Sequence, residues 1–199
     1  MRQEQNVWGV GLAVLVSSAF AIALPSAQAL TDTIAITGQA APGGGDFQKF
    51  NFFQPVMNEV GQVAFRGALS EPTNNEGLYR GDGGAVTLIA RVGQVAPGGG
   101  NYTNLYSHQL NNVGQVAFIG NLSIGGDERG LYRGEGGAVT LIARSGLVAQ
   151  GGSTYTEVFF PVLNGAGQVA FQGALSEPTN NLCLYRDDGG AVTLIARAG

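Results

Sequence analysis

The side chains best suited to acid–base or nucleophilic catalysis, histidine and cysteine, occur once each in this 199-residue sequence, as His108 and Cys183. A catalytic triad or a histidine-based metal site would therefore depend on one residue. Pro55 and Pro161 stand at the positions equivalent to His108 in the repeats described below, which favours a structural role for this histidine. A single cysteine cannot form an internal disulfide, and a reactive thiol or a disulfide between chains is the alternative.

Acidic residues recur in one turn of each repeat, as Asp82, Glu135 and Asp188. Clustered carboxylates would suit calcium, but each turn supplies only one or two of them. We interpret them as turn residues that tolerate unusual backbone angles. Glycine-rich loops such as 43–45 lack the Gly-Lys-Ser/Thr ending of a phosphate-binding loop. The sequence therefore predicts no catalytic residue, no cofactor and no metal, and a protein that is not an enzyme.

A motif that returns at a fixed spacing organises the elements around these residues. Asn-x-x-Gly-Gln-Val-Ala-Phe begins at Asn58, Asn111 and Asn164, with 53 residues between successive copies. The fold must therefore be argued from one repeat. The predicted organisation is a first repeat (unit 1) at about 46–91, a second (unit 2) at about 99–144 and a third (unit 3) at about 152–197, preceded by an orphan strand at 33–37.

The hydrophobic pattern of unit 1 is that of short strands. Val63 and Phe65 point to one side of a strand and Ala64 to the other, so both faces are apolar and we expect both to be covered. Tight turns are predicted at 58–61 and 81–84, where asparagine, aspartate and glycine permit left-handed backbone angles. Each unit is therefore predicted to be a four-stranded antiparallel meander.

The predicted fold class is all-β, with three tandem four-stranded antiparallel units that resemble β-propeller blades in a partial or open propeller. Propellers usually contain four to eight blades, so three units leave three explanations. The array is truncated, it is an open arc that closes by self-association through its blade edges, or the fold is a compact three-fold arrangement like a β-trefoil.

The first 29 residues have the pattern of a secretory signal peptide. Val7 to Leu24 is an uncharged apolar run, Pro25 interrupts it, and Ala27-Gln28-Ala29 fits a signal-peptidase site. Cleavage before Leu30 would leave a β-repeat domain at 30–199 without a membrane span, and an uncleaved anchor is the alternative. We therefore expect a secreted, periplasmic or cell-surface protein. The net charge of −4 and the lack of a basic stripe argue against nucleic-acid binding.

The tandem Asn-x-x-Gly-x-x-Ala-Phe motif behind a signal peptide resembles a family of secreted bacterial proteins known by this repeat, over about residues 33–199. The resemblance implies an extracytoplasmic bacterial protein and no catalytic residues. The resemblance thus implies a location outside the cytoplasm, and it does not indicate a ligand.

The meander predicts where a ligand would bind. Its tight turns share one end of each unit, and its longer, more variable connections share the other, which is where binding residues usually lie on a rigid scaffold. We therefore predict a binding or interaction module for a protein or carbohydrate; the alternatives are an extracytoplasmic propeller-type hydrolase or lyase and a truncated fragment without independent function. The candidate binding residues are Glu71, Thr73, Asn74, Asn75, Tyr102, Asp127, Glu128, Tyr155, Glu177, Asn180 and Asn181.

Overall fold

The computed structural model describes residues 32–50, 54–125, 128–179 and 181–198. The expected signal peptide, Asp127 and Asn180 lie outside these ranges. Within them the chain is all β, with no helix. It follows that no described segment is a helix long and apolar enough to cross a bilayer.

Each repeat forms its own antiparallel sheet. In unit 1, β1 and β2 both pair with β3, and β4 and β5 follow in order; the sheets of units 2 and 3 are four-stranded meanders. The three tandem units are therefore confirmed. The strands are β1 (Phe47–Phe50), β2 (Val56–Met57), β3 (Val63–Leu69), β4 (Glu76–Gly81) and β5 (Thr87–Arg91); β6 (Tyr102–Leu110), β7 (Val116–Leu122), β8 (Arg129–Gly134) and β9 (Val139–Arg144); and β10 (Tyr155–Leu163), β11 (Val169–Leu175), β12 (Leu182–Asp187) and β13 (Val192–Arg197).

The trefoil-like alternative is wrong. Each described sheet contains strands of one unit only, and none closes into a barrel. A trefoil barrel would need strands of different units to pair. Instead the units meet through the faces of their sheets.

The recurring Asn-x-x-Gly segment is a turn, as predicted. The Asn58 side-chain oxygen accepts hydrogen bonds from the backbone N–H of Gln62 at 2.8 Å and of Val60 at 3.2 Å. Gly61 has a φ of +84°, in the left-handed region that glycine adopts without steric cost. Because the turn connects β2 to β3, it fixes where the Val-Ala-Phe strand begins.

An aromatic cluster fills one face of each sheet. In unit 2 the ring of Tyr132 stacks on Phe118 at a centroid distance of 5.5 Å and meets Tyr102 edge-on at 5.1 Å. Gly120 lies beneath these rings, and a Cβ there would be 2.7 Å from the ring of Tyr102. Units 1 and 3 carry the same arrangement. The rings therefore occupy the space that a side chain at this glycine would need.

In units 1 and 2, the opposite face of the sheet packs against the aromatic face of the following unit. Leu78 and Ile89 of unit 1 share a buried core with Tyr102 and Phe118 of unit 2. A second core joins units 2 and 3 in the same manner. Both faces of the middle sheet are thus covered, as the sequence predicted.

The orphan strand expected at 33–37 does not form, because residues 32–36 pair with no strand in the described ranges. Ile34 and Ala35 nevertheless pack on the aromatic cluster of unit 1. A Cβ on Gly81 would lie 2.9 Å from Ile34 Cγ2, and a Cβ on the equivalent Gly134 would lie 3.4 Å from Ile89 Cγ2. Ile34 therefore takes the place on unit 1 that Ile89 takes on unit 2.

Candidate functional site

The long connections of each meander meet at one end of its sheet. In unit 1, the backbone N–H of Asp46 donates to Ser70 Oγ at 3.0 Å, and the N–H of Ser70 donates to the carbonyl of Asp46 at 2.9 Å. The same pair of bonds joins the corresponding loops of units 2 and 3. The glycine-rich segment before each first strand is thus held beside the β3–β4 loop or its equivalent.

Arg91 fixes the loops of unit 1. It is the last residue of β5, and its guanidinium forms an ion pair with Glu71. Its Nε donates to the carbonyl of Asn74 at 3.1 Å, and Nη1 donates to the carbonyls of Gly43 and Gly44. Because the guanidinium fork bonds several oxygens at once, one side chain holds both loops in place.

These contacts border an open pocket of about 350 Å³, called the loop pocket below. Asn74 has a φ of +54°, and its side-chain amide lies directly over Gly93. The Gln94 amide oxygen accepts a hydrogen bond from the backbone of Arg91 at 3.1 Å. The loop pocket thus combines two amides, a carboxylate and a guanidinium with the half-buried side chain of Leu88; its lining is Gly43, Glu71, Asn74, Leu88, Arg91, Val92, Gly93 and Gln94.

Units 2 and 3 repeat the ion pair. Glu128 pairs with Arg144 at 3.0 Å, and Glu177 pairs with Arg197 and accepts a bond from Ser153. The three predicted glutamates therefore also hold loops together. The arginines were not predicted as site residues, although they recur at the 53-residue period. Glu128 lies four residues after the position equivalent to Glu71, so the repeat spacing does not reveal that it pairs with Arg144.

The prediction that Tyr102 and Tyr155 line the binding face is wrong. Tyr102 is 1% exposed and Tyr155 is 4% exposed. Each is the first residue of its strand and points inward, edge-on to the central tyrosine of its cluster. Burial raises the pKa of the Tyr155 hydroxyl to about 12 and also raises the pKa of Tyr102. Neither ring is available to stack on a sugar.

The remaining candidates lie in the exposed loops. Thr73, Asn75 and Asn181 are exposed. The carbonyl of Asn75 accepts a hydrogen bond from Leu69 at 2.7 Å, and that of Asn181 accepts one from Leu175 at 2.8 Å. These bonds close the loops, while the side chains face solvent. The structure thus brings Glu71 and Asn74 into one pocket, places Thr73 and Asn75 on the same loop, and places Glu128, Glu177 and Asn181 on the loops of units 2 and 3.

His108 lies in a polar cluster between units 1 and 2. It is buried on β6, and burial lowers its pKa, with nearby Arg66 adding to the effect. Arg66 pairs with Glu76 and donates to the Asn104 side chain at 3.0 Å. Residues in the described ranges include no group of three or more histidine, cysteine, aspartate or glutamate side chains placed to hold a metal ion. The histidine therefore contributes to an interface between sheets.

A family model described as "Family of unknown function (DUF7453)" matches residues 10–129 and also residues 101–199. The two matches overlap within unit 2. No curated protein and no solved structure matches the chain.

Proposed function

The chain belongs to the DUF7453 family of unknown function, and from this premise we propose that it is an extracytoplasmic interaction scaffold that binds a polar segment of a partner protein in the loop pocket. The observation that carries the proposal is the pocket itself, held between Glu71, Asn74 and Arg91. A preformed concave site with a few fixed polar groups is the usual form of a binding site.

The chemistry of the loop pocket suits a peptide. The side-chain amide of Asn74 offers a donor and an acceptor, which matches the pattern of a peptide group, and the amide nitrogen of Gln94 offers a further donor, since its oxygen accepts from Arg91. The side chain of Leu88 supplies an apolar surface beside them. A carbohydrate ligand has less support, because Tyr102 and Tyr155 are buried and the pocket lining contains no aromatic ring.

Binding is favoured over catalysis by the placement of the reactive side chains. His108 and Cys183 are both buried, and neither lines the loop pocket. A propeller-type hydrolase or lyase would need acid–base groups facing its substrate. The carboxylate of Glu71 and the guanidinium of Arg91 both lie in the pocket, and they form an ion pair with each other.

We also propose that the sheets are arranged like propeller blades. The support is that units 1 and 2 meet in the same way as units 2 and 3, through an apolar face and an aromatic face. A crystal structure in which successive sheets rotate about a common axis is the expected result. Sheets stacked along a straight line would contradict this arrangement.

Secretion rests on the signal-like pattern of Val7 to Leu24 followed by Ala27-Gln28-Ala29. We expect the protein purified from the extracytoplasmic fraction of a bacterial host to begin at Leu30. Mass spectrometry of the N-terminal peptide measures this directly. A mature protein that retains Met1 and stays in the cytoplasm would refute the proposed location.

The binding proposal is tested by crosslinking and then by affinity. A photoreactive residue replacing Gln94 should crosslink a partner protein from the envelope fraction, and one replacing Asn112, exposed at the opposite end, should not. With the partner purified, Asn74→Gly should weaken binding about 10-fold through loss of the amide. Glycine keeps the left-handed backbone angle, so the loop is preserved.

Asn112→Ala is the matched control, and it should bind as the unaltered protein does. Equal crosslinking from both ends, or an unchanged affinity for Asn74→Gly together with Gln94→Ala, would refute the loop pocket as the binding site. Crosslinks to glycan alone would reassign the class of ligand.

A further inference from the structure

The outer face of unit 3 is built like the faces that units 1 and 2 bury. Leu78 and Leu131 are 0% exposed, whereas the equivalent Leu184 is 41% exposed. Ile195 is 50% exposed, against 2% for the equivalent Ile89. No residue in the described ranges covers this face. It therefore presents to solvent the surface that elsewhere packs on the aromatic face of a neighbouring unit.

Asparagine side chains accompany this packing. The Asn58 amide donates to the carbonyl of Asn111 at 2.8 Å, and the Asn111 amide donates to the carbonyl of Asn164 at 3.1 Å. The same amide nitrogen in each turn also donates to a glutamine four residues on, as Asn164 does to Gln168. Among the described residues, Asn164 has no turn carbonyl of another unit as acceptor. Its second N–H is placed to donate as those of the first two turns do.

One arginine of each unit shows the same pattern of bonding to the turn of the following unit. Arg80 donates to the carbonyl of Gly114, and Arg133 donates to the carbonyl of Gly167. The equivalent Arg186 pairs instead with Asp188 on the surface of its own turn. Unit 3 thus carries the leucine, the asparagine and the arginine that make each internal interface, all unengaged by another unit within the described chain.

Unit 1 carries a surface that is complementary to the outer face of unit 3. An apolar groove of about 240 Å³ opens on its aromatic face, next to Phe65, the equivalent of the Phe118 against which Leu78 packs. The turn at 58–61 offers the carbonyls equivalent to those that accept bonds from Asn58 and Arg80 in unit 2. The lining of the groove is Ile34, Ala35, Phe50, Pro55, Val63, Phe65 and Arg66.

We propose that the outer face of unit 3 docks on unit 1 of a second copy of this chain and repeats the internal interface between molecules. Leu184 enters the groove beside Phe50 and Phe65 of the second copy. Asn164 and Arg186 donate to the carbonyls of its first turn, at Asn58 and Gly61. The contact is head-to-tail, because two different surfaces meet. It is separate from the loop pocket and does not depend on the proposed function.

Residues 32–36 regulate how much of the contact forms. Ile34 holds on unit 1 the place that Ile195 of the second copy would take. This segment forms no strand, and residues 32–35 make no backbone hydrogen bond within the described chain. Displacing residues 32–35 therefore breaks packing contacts and no backbone hydrogen bond within the described ranges, and Ile34→Ser should strengthen the association.

Sedimentation velocity of the chain expressed from its full gene, over a 100-fold range of concentration, tests the proposal. The unaltered protein should form dimers or larger species as concentration rises. Leu184→Glu and Phe50→Glu each place a charge in one of the two surfaces and should weaken association at least about 30-fold, as loss of a hot-spot contact does. Val95→Glu adds the same charge at an exposed valine outside both surfaces and should associate normally.

Mixing identifies the geometry. Leu184→Glu keeps an intact unit 1 surface and Phe50→Glu keeps an intact unit 3 surface, so the mixture should form a one-to-one dimer although each variant alone is monomeric. Circular dichroism and thermal melting establish that both variants fold. A monomer at every concentration, association of Phe50→Glu with itself, or no dimer in the mixture of folded variants would overturn the proposal.

Discussion

Replacing Gly120 by alanine should destabilise the protein because the new Cβ meets the ring of Tyr102. The ideal Cβ would lie 2.7 and 2.9 Å from two ring carbons, and 3.4 Å from a ring carbon of Tyr132. Carbon atoms in contact prefer about 3.5–4.0 Å, so the ring must move by roughly 0.8 Å. Tyr132 stands edge-on behind it at 5.1 Å and blocks that movement.

Overpacking of a core costs about 1–3 kcal/mol. Alanine also restricts the unfolded chain, which offsets about 0.4–1 kcal/mol of the loss. We therefore expect Gly120→Ala to lower the free energy of unfolding by about 1.3 kcal/mol. For a domain of this size that corresponds to a melting temperature lower by about 3–5 °C. Urea titration and calorimetry measure the two quantities.

Gly137→Ala is the matched control. This glycine lies in the exposed turn between β8 and β9, and its Cβ would have nothing within 4 Å. Its effect should stay within about 0.5 kcal/mol. Tyr102→Leu removes the ring, so in that background Gly120→Ala should cost much less. An equal cost with and without the ring would refute the steric explanation.

Three further predictions concern the interfaces between units. Asn111→Ala removes a buried amide that donates to the next turn and should cost about 2–3 kcal/mol in urea unfolding, whereas Asn112→Ala, which removes two exposed hydrogen bonds to Glu59, should cost about 1 kcal/mol. Leu78→Ala should cost about 2–5 kcal/mol through its cavity, and Leu184→Ala under about 1 kcal/mol in dilute solution. Burial lowers the pKa of His108 below its ordinary 6.5, so the unfolded state gains a proton first as the pH falls. The free energy of unfolding should therefore be at its full value above pH 6.5 and decrease below it. In His108→Gln this pH dependence of the free energy of unfolding should be absent.

Each of these has an outcome that contradicts it. Equal costs for Asn111→Ala and Asn112→Ala would show that the amide ladder does not stabilise the array. Equal costs for the two leucine variants would mean that burial of Leu78 is not the cause. A pH dependence identical in His108→Gln and the unaltered chain would assign the slope to other groups.

The strands and tight turns were readable from the sequence because their determinants are local. Gly61 needs a left-handed backbone angle, and the alternation around Phe65 has the period of a strand. The first strand of unit 1 is harder to recognise in the sequence, since it begins at Phe47 among glycines and polar residues. Its inward-facing aromatic ring is recognisable only once the equivalent Tyr102 and Tyr155 are seen to be core residues.

The candidate site was less predictable because it depends on contacts between distant segments. Tyr102 looked like a loop residue, and only its pairing with Leu122 shows which face of the sheet it takes. Glu71 and Arg91 are 20 residues apart and meet through the meander. The position of the loops followed from topology, whereas the pairing that shapes the loop pocket required the side chains.

The bonds that join one Asn-x-x-Gly turn to the next have a consequence for how such genes change. Each turn offers the same donor to the following unit and the same acceptor to the preceding one. A duplication or deletion of 53 codons, at any boundary, would therefore join surfaces that already fit each other. Unequal recombination can alter the length of the array without a single compensating substitution, while selection remains free to diversify the loops that each copy carries.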